Sequence, residues 1–187
     1  MTGYRNQLRI IGGRWRGRRL SFPVLADLRP TPDRVRETLF NWLAPLIEGA
    51  RCLDLFAGSG ALGIEALSRG AATVVFVERH PLAVRQLREN LLRLGVASPQ
   101  VEQADALTWL KRAGQPFNVV LLDPPFGQDL LIPVCTALEQ GGWLAPQARI
   151  YLETERSLLN PLLPATWEIL REKSAGQVTY RLAAKSA

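Results

Sequence analysis

From residue 51 onward the sequence alternates short apolar runs with segments of helical length, and that alternation admits few architectures. The runs at 51–57, 73–78, 100–103, 118–123 and 148–153 read as strands. Between them, 61–69, 82–94, 106–113 and 130–140 read as helices, with Gly95 and the pair Gly141, Gly142 as stops. Strands joined through helices lie parallel, with right-handed crossovers, so a sheet covered on both faces is expected. Two further runs, 167–173 and 177–182, flank Ala175 and Gly176 and predict a closing antiparallel hairpin. Ahead of the sheet, a helix is predicted with Thr31 as its cap and Pro32 at its first position. It would bury Val35, Leu39, Trp42, Leu43 and Leu46 on one face and end near Pro45.

A chain of 187 residues that is 47% hydrophobic and 21% charged can bury one sizeable core. The apolar runs at 74–77 and 119–122 suit buried strands and are far too short to span a bilayer. The start of the chain has no apolar segment of the secretory kind, so a cytoplasmic location is expected. Cys52 and Cys135 lie in apolar surroundings without metal-ligand spacing and read as buried free thiols.

Charge is unevenly placed. Residues 1–36 hold nine arginines and two acids, a balance of +7, whereas the whole chain carries +6. Guanidinium groups grip phosphates bidentately and stack on bases, so this segment points to a nucleic acid. Residues 1–30 read as a basic extension, with strand-like runs at 8–11 and 18–22 around Gly12, Gly13 and Gly17 forming a loose hairpin. Arg9, Arg14, Arg16, Arg18, Arg19, Arg34 and Arg36 are the candidate contacts, with Trp15, Tyr4 and Phe22 as stacking partners. A solvated tail is the bland alternative. On either reading, residues 31–187 form the main domain and are expected to fold without the extension.

The first apolar run enters Asp54-Leu55-Phe56-Ala57-Gly58-Ser59-Gly60-Ala61-Leu62-Gly63. Its glycines fit a strand–turn–helix nucleotide loop, and Glu78 falls 20 residues past Gly58, where an acid can hold ribose hydroxyls. A dehydrogenase would share these features. Asp54 argues otherwise: inside an apolar strand it suits a cationic ligand such as a methionine-like ammonium and repels a pyrophosphate. Asp105, after the third run, is placed for an adenine amino group. No second mononucleotide half is evident. Phe56, Ser59, Arg79 and Ala106 flank these positions and complete the expected cofactor site.

The fourth run delivers Asp123-Pro124-Pro125-Phe126 at a strand's carboxyl end, where open α/β sheets place their chemistry. An amino group on a base is a poor nucleophile because its lone pair is delocalised. Asp123 and the Pro124 carbonyl, on a backbone stiffened by Pro125, would each accept one N–H, turning the lone pair toward an incoming methyl. Phe126 would stack on the base. Catalysis is then mostly positioning, and no metal is required. His80, the sole histidine, reads as structural or adjacent to the cofactor.

Together, Asp54-x-Phe-x-Gly-x-Gly, Glu78, Asp105 and Asp-Pro-Pro-Phe resemble the class I amino-methyltransferases. The stretches Arg9-Ile-Ile-Gly-Gly-Arg-Trp-Arg-Gly-Arg-Arg-Leu and Arg29-Pro-Thr-Pro-Asp-Arg-Val-Arg-Glu-Thr-Leu-Phe-Asn-Trp-Leu are similar to the bacterial RsmD-type 16S rRNA guanine-N2 methyltransferases. The resemblance implies a Rossmann-like α/β fold with a seven-stranded, mostly parallel sheet and S-adenosylmethionine as methyl donor. It also implies guanine N2 of 16S rRNA in an assembling 30S particle as target; separately, a monomer is the expected acting species. A DNA adenine-N6 methyltransferase and a non-catalytic nucleic-acid-binding module are the rival readings. The residues alone reach only a base amino group, without choosing guanine or RNA.

Overall fold

The computed structural model describes residues 6–25, 30–158 and 161–186. A two-stranded antiparallel hairpin, β1 (Asn6–Arg9) and β2 (Arg19–Phe22), encloses a 3-10 turn at Gly13–Trp15. Helix α1 (Asp33–Leu43) follows. Then come β3 (Arg51–Asp54), α2 (Ala61–Ser68), β4 (Thr73–Glu78), α3 (Pro81–Arg93), β5 (Gln100–Gln103) and α4 (Ala106–Trp109). The chain closes with β6 (Phe117–Leu122), α5 (Leu131–Gln140), β7 (Leu144–Glu155), β8 (Trp167–Ala175) and β9 (Val178–Lys185). Seven strands form one sheet in the order β5-β4-β3-β6-β7-β9-β8. The pairs from β5 to β7 are parallel, and β9 is antiparallel to both β7 and β8.

Alternation along the strands divides the core into two layers. Cys52, Val74, Phe76, Val119, Leu121 and Tyr151 pack with residues of α1, α2 and α3. Their neighbours Leu53, Val77, Val120, Leu122, Ile150 and Leu152 pack with α4 and α5. Successive side chains of a strand point to opposite faces, so a continuous apolar run is what a doubly covered sheet demands. No helix among the described residues is long and apolar enough to cross a membrane. Cys52 and Cys135 are free and buried.

Element ends differ from the sequence expectation for local reasons. Strand β3 stops at Asp54 because the chain turns into the glycine loop. Helix α4 is a single turn. Strand β7 begins earlier than residue 148, across Pro146 and Gln147, where its register with β6 shifts and the alternation breaks. Thr31 does not cap α1: Pro32 occupies the cap position, and the Thr31 hydroxyl turns to Asp123. Beyond the helix end Leu46 is exposed and Ile47 takes the core position.

The hairpin is seated on the domain, not loosely appended. Ile10, Trp15 and Leu20 belong to the main core layer, and Leu8 and Phe22 are buried against Ala61. In β2 the alternation Arg19-Leu20-Ser21-Phe22 turns the apolar residues inward. Gly13, at φ 73°, passes so close to α2 that a Cβ there would lie 1.8 Å from the Ser68 carbonyl oxygen. Burying Trp15 and Phe22 removes them from the stacking partners expected for a base. Tyr4 and Arg29 lie outside the described residues.

Arg36 is likewise interior, 1% exposed, and is not available to RNA. Its Nε donates to the Thr31 carbonyl at 3.1 Å, and its terminal nitrogens reach the Arg9 carbonyl at 2.9 Å, Asp33 at 2.6 Å and Glu65 at 3.5 Å. Glu65, buried in α2, accepts further from the amides of Ile11 (2.9 Å) and Gly12 (2.7 Å) and from Arg69 Nε (2.8 Å). A buried charge is tolerated only when its bonding capacity is filled, as here. Arg36→Met should therefore lower unfolding stability by about 3–5 kcal/mol, the cost of leaving a buried carboxylate short of its counter-charge. Denaturant titration checks it, and an unchanged midpoint would contradict this account of the knot.

Candidate active site

Four acids line the carboxyl edge of four adjacent strands. Asp54 ends β3, Glu78 ends β4, Asp105 follows β5 by two residues, and Asp123 directly follows β6. The chain winds outward from β3 to β5, then returns to place β6 on the other side of β3. The crevice at such a reversal is where open α/β sheets bind ligands.

The loop from Phe56 to Gly60 fills the step between β3 and α2. Gly58 and Gly60 have φ of 52° and 79°, which side chains rarely tolerate. Gly63, inside α2, brings the helix against the sheet: a Cβ there would lie 2.2 Å from the Phe76 ring. Its amide donates to Asp54 Oδ2 at 2.9 Å. Glu78 accepts from the Gly58 amide at 2.8 Å and from the His80 amide at 2.7 Å, so one carboxylate fixes both the glycine loop and the turn into α3. His80 caps α3, its Nδ1 accepting from the Leu82 amide. Asp105 caps α4 through the Thr108 amide at 3.0 Å, and Ala106 is buried in that turn. Phe56 is half-buried, Ser59 buried and Arg79 exposed.

Burial raises the Asp54 carboxyl to about 7, with the charge of nearby Glu78 adding to the rise and the Gly63 amide opposing it. Asp123 is held well above the usual carboxylate range by burial first, then by the charges of Glu153 and Asp54, against a lowering bond from Thr31. Two acids of the site are thus held above their ordinary range, and a cation beside them would favour their ionised forms. Pro124 is buried, Pro125 half-buried, and Phe126 exposed at 45%.

Of the residues expected to bind cofactor or base, all of Asp54, Phe56, Gly58, Ser59, Gly60, Glu78, Arg79, Asp105, Ala106 and Asp123 to Phe126 fall along this one edge of the sheet. The arginines that remain exposed, Arg9, Arg14, Arg16, Arg18, Arg19 and Arg34, belong to the hairpin and the first turn of α1. Thr31 and Glu153 are the site residues that sequence reasoning missed. Thr31 read as a helix cap and Glu153 as a strand end. An acid within the apolar run Ile150-Tyr151-Leu152 was the available signal for Glu153.

A ligand combining positive charge, ribose hydroxyls and an adenine amino group matches these donors and acceptors. S-adenosylmethionine has all three and is the methyl donor that the fold and family imply. Because the folded protein holds the Asp54 proton to about pH 7 while the unfolded chain releases it near 4, ligand-free stability should fall as pH rises across that window. Asp54→Asn should reduce that fall, to which Asp123 and Glu153 also contribute, and stabilise the ligand-free protein at pH 8 by roughly 2–4 kcal/mol. Equal pH dependence in both proteins, measured by denaturant titration, would refute the assignment.

The comparisons agree with this architecture. Ribosomal RNA small subunit methyltransferase D from Escherichia coli (strain K12) is 52% identical over 181 residues, covering 97% of this chain and 91% of the relative. A solved putative methyltransferase from Escherichia coli superposes with a TM-score of 0.91 at 50% identity, covering 97% of this chain and 99% of that one. A putative methylase from Haemophilus influenzae gives 0.83 at 46% identity, covering 97% and 100%. With residues 8–184 matched by the family described as conserved hypothetical protein 95, the chain belongs to that family.

Proposed function

We propose that the protein transfers a methyl group from S-adenosylmethionine to the exocyclic N2 amine of a guanine in small-subunit rRNA, presented in an assembling 30S particle in the cytoplasm, and that it acts as a monomer. The observation that carries this reading is Asp123-Pro124-Pro125-Phe126 on the end of β6, next to the Asp54 and Glu78 crevice, in a chain half identical to an rRNA small subunit methyltransferase. Guanine N2 and the 30S particle come from the resemblance of residues 9–20 and 29–43.

In this mechanism Asp54 meets the ligand's ammonium, Glu78 accepts from its ribose hydroxyls and Asp105 from its adenine amine. Phe56, Ser59, Gly58, Gly60, Arg79 and Ala106 form the walls around them. The bound cofactor supplies an electrophilic methyl carbon on a sulfonium. Phe126 stacks on the guanine, while Asp123 and the Pro124 carbonyl accept the two amine hydrogens and aim the nitrogen lone pair. Residues 1–30 supply much of the RNA-binding surface and residues 31–187 the chemistry, a division of labour across one packed body. Arg9, Arg14, Arg16, Arg18, Arg19 and Arg34 hold the phosphates.

Labelled methyl transfer to RNA, DNA and 30S particles, followed by nucleoside analysis, tests the reading. The label is expected on N2-methylguanosine from rRNA, while N6-methyladenine in DNA would replace it. Asp123→Ala should reduce kcat by roughly 100-fold or more, the scale of a lost positioning and proton-accepting group, with cofactor affinity retained by calorimetry. Near wild-type turnover in that variant would remove Asp123 from the chemistry. Replacing Arg14, Arg16 and Arg19 together by Gln should weaken RNA binding and flatten its salt dependence by about 0.7–0.9 per lost phosphate contact. An unchanged salt slope would make these arginines a solvated face only.

A further inference from the structure

Behind the Asp-Pro-Pro-Phe turn lies a connected polar cluster that the positioning of base and cofactor does not use. Glu153, near the end of β7, is 4% exposed. Its Oε1 accepts from the Tyr151 hydroxyl at 2.7 Å. Thr31, also buried, places its hydroxyl 3.4 Å from Asp123 Oδ2, and Glu153 follows Leu152 as Asp123 follows its register partner Leu122, so the two acids stand side by side across the β6–β7 pair with Thr31 acting on both. A single hydroxyl thus serves two neighbouring carboxyl groups, and it has only one hydrogen to give. The backbone of Thr31 is itself fixed, because its carbonyl accepts from buried Arg36 at 3.1 Å.

We propose that Thr31 and Glu153 are positioning residues that receive, through Asp123, the proton released by the methylated amine. The inference rests on the reading of Asp123 as the group that touches the amine. As the base nitrogen forms its N–C bond, the C–S bond breaks with its electron pair left on sulfur, and the nitrogen becomes positively charged. One N–H proton then passes to Asp123. The protonated Asp123 donates to the Thr31 oxygen, and the Thr31 hydroxyl hydrogen passes to Glu153. Charge is conserved: one carboxylate is neutralised, the amine returns to neutral, and the sulfur is left uncharged. Tyr151 holds Glu153 in place throughout, since its hydroxyl donates to the carboxylate.

The electrostatics support the same arrangement. Burial raises both Asp123 and Glu153 above their ordinary range; the charge of Glu153 adds to the rise at Asp123, while bonds from Tyr151 and Thr31 oppose the rise at Glu153. The titratable groups facing Asp123 are Glu153 and Tyr151 from β7 and Asp54 from β3. Glu78 acts on Asp54, Tyr151 faces Glu153, and Tyr180 of β9 faces Tyr151. Thr31 opposes the rise at Asp123 by donating to it.

Two substitutions should therefore move the acid limb of the kcat–pH profile in opposite directions. Glu153→Gln removes a like charge, makes Asp123 easier to ionise and shifts the limb to lower pH by about one unit. Thr31→Val removes a stabilising bond to the ionised form and shifts the limb to higher pH. Both should lower kcat roughly ten- to hundredfold with the cofactor dissociation constant unchanged, and Thr31→Ser should restore most of the activity. An unmoved limb in Glu153→Gln, with or without a fall in kcat, assigns Glu153 a packing role and overturns the proposal. So does a Thr31→Val enzyme that turns over like wild type. Carboxyl-carbon NMR titration of Asp123 in the ligand-free protein reads the coupling without any substrate. A lower midpoint in Glu153→Gln supports the proposal, and an identical midpoint overturns it. If the wild type methylates no RNA while that midpoint moves, the choice of substrate fails and the carboxyl relay stands.

Discussion

Strand β3 has β4 on one side and β6 on the other, and the whole catalytic edge depends on that reversal. Had the chain continued outward in one direction, Asp54, Glu78 and Asp105 would sit at successive strand ends with no facing wall. The return through α4 sets Asp123 beside Asp54, on the far side of the crevice from Glu78. Parallel pairing is what aligns these ends. In register, Asp54 lies opposite Phe76 of β4 and Leu121 of β6, and Glu78 opposite Gln103 of β5, so each acid is two residues from its neighbour's level. The third glycine of the loop then lets α2 approach closely enough for its amide to meet the Asp54 carboxylate.

A second constraint, the buried Glu65, makes the basic hairpin part of that edge. Its carboxylate takes hydrogen bonds from the hairpin backbone at Ile11 and Gly12 and from Arg36 of α1, while Ser68 and Asn90 add bonds from α2 and α3 to Gly12, Trp15 and Ser21. Tying the hairpin down fixes where its exposed arginines stand relative to Phe126. A flexible arm would deliver the same charge but lose the ordering entropy each time it bound. Arg36 also carries the constraint inward, because the guanidinium that meets Glu65 holds the Thr31 carbonyl on its other side.

Much of this was legible in the residues. The glycine loop, the acid 20 residues beyond it and the Asp-Pro-Pro-Phe turn depend on neighbours close in sequence, and all appear at the strand ends where the spacing puts them. What was not legible depends on contacts between distant segments. Arg36 and Trp15 read as RNA contacts because arginine and tryptophan are ordinary in such a surface. Only the partner Glu65, 29 residues away, reveals Arg36 as interior. Two signals were nevertheless present: an acid alone in the apolar helix Ala61-Leu62-Gly63-Ile64-Glu65-Ala66-Leu67, and a period of two in Arg19-Leu20-Ser21-Phe22. Thr31 misled for a chemical reason, since threonine before Pro-Asp is a good helix cap, and its hydroxyl is used elsewhere.

The accumulation of carboxylates in a chain of net charge +6 makes sense when the two surfaces are considered together. On the proposed reading, arginines on the hairpin would attract a polyanion, whereas the acids of the crevice, once ionised, would repel phosphate from it. A nucleic acid drawn to the hairpin face can therefore present a neutral base to the crevice more favourably than its backbone. The cationic cofactor has the opposite preference: it is repelled by the hairpin and drawn to the acids. Its charge would also favour the ionised forms of Asp54 and Asp123, which burial and their mutual repulsion oppose in the free protein. Asp123 would thus be a carboxylate, able to accept a proton, at the stage when a methylated amine has one to lose, and the separation of charge between the two surfaces would serve both binding and chemistry.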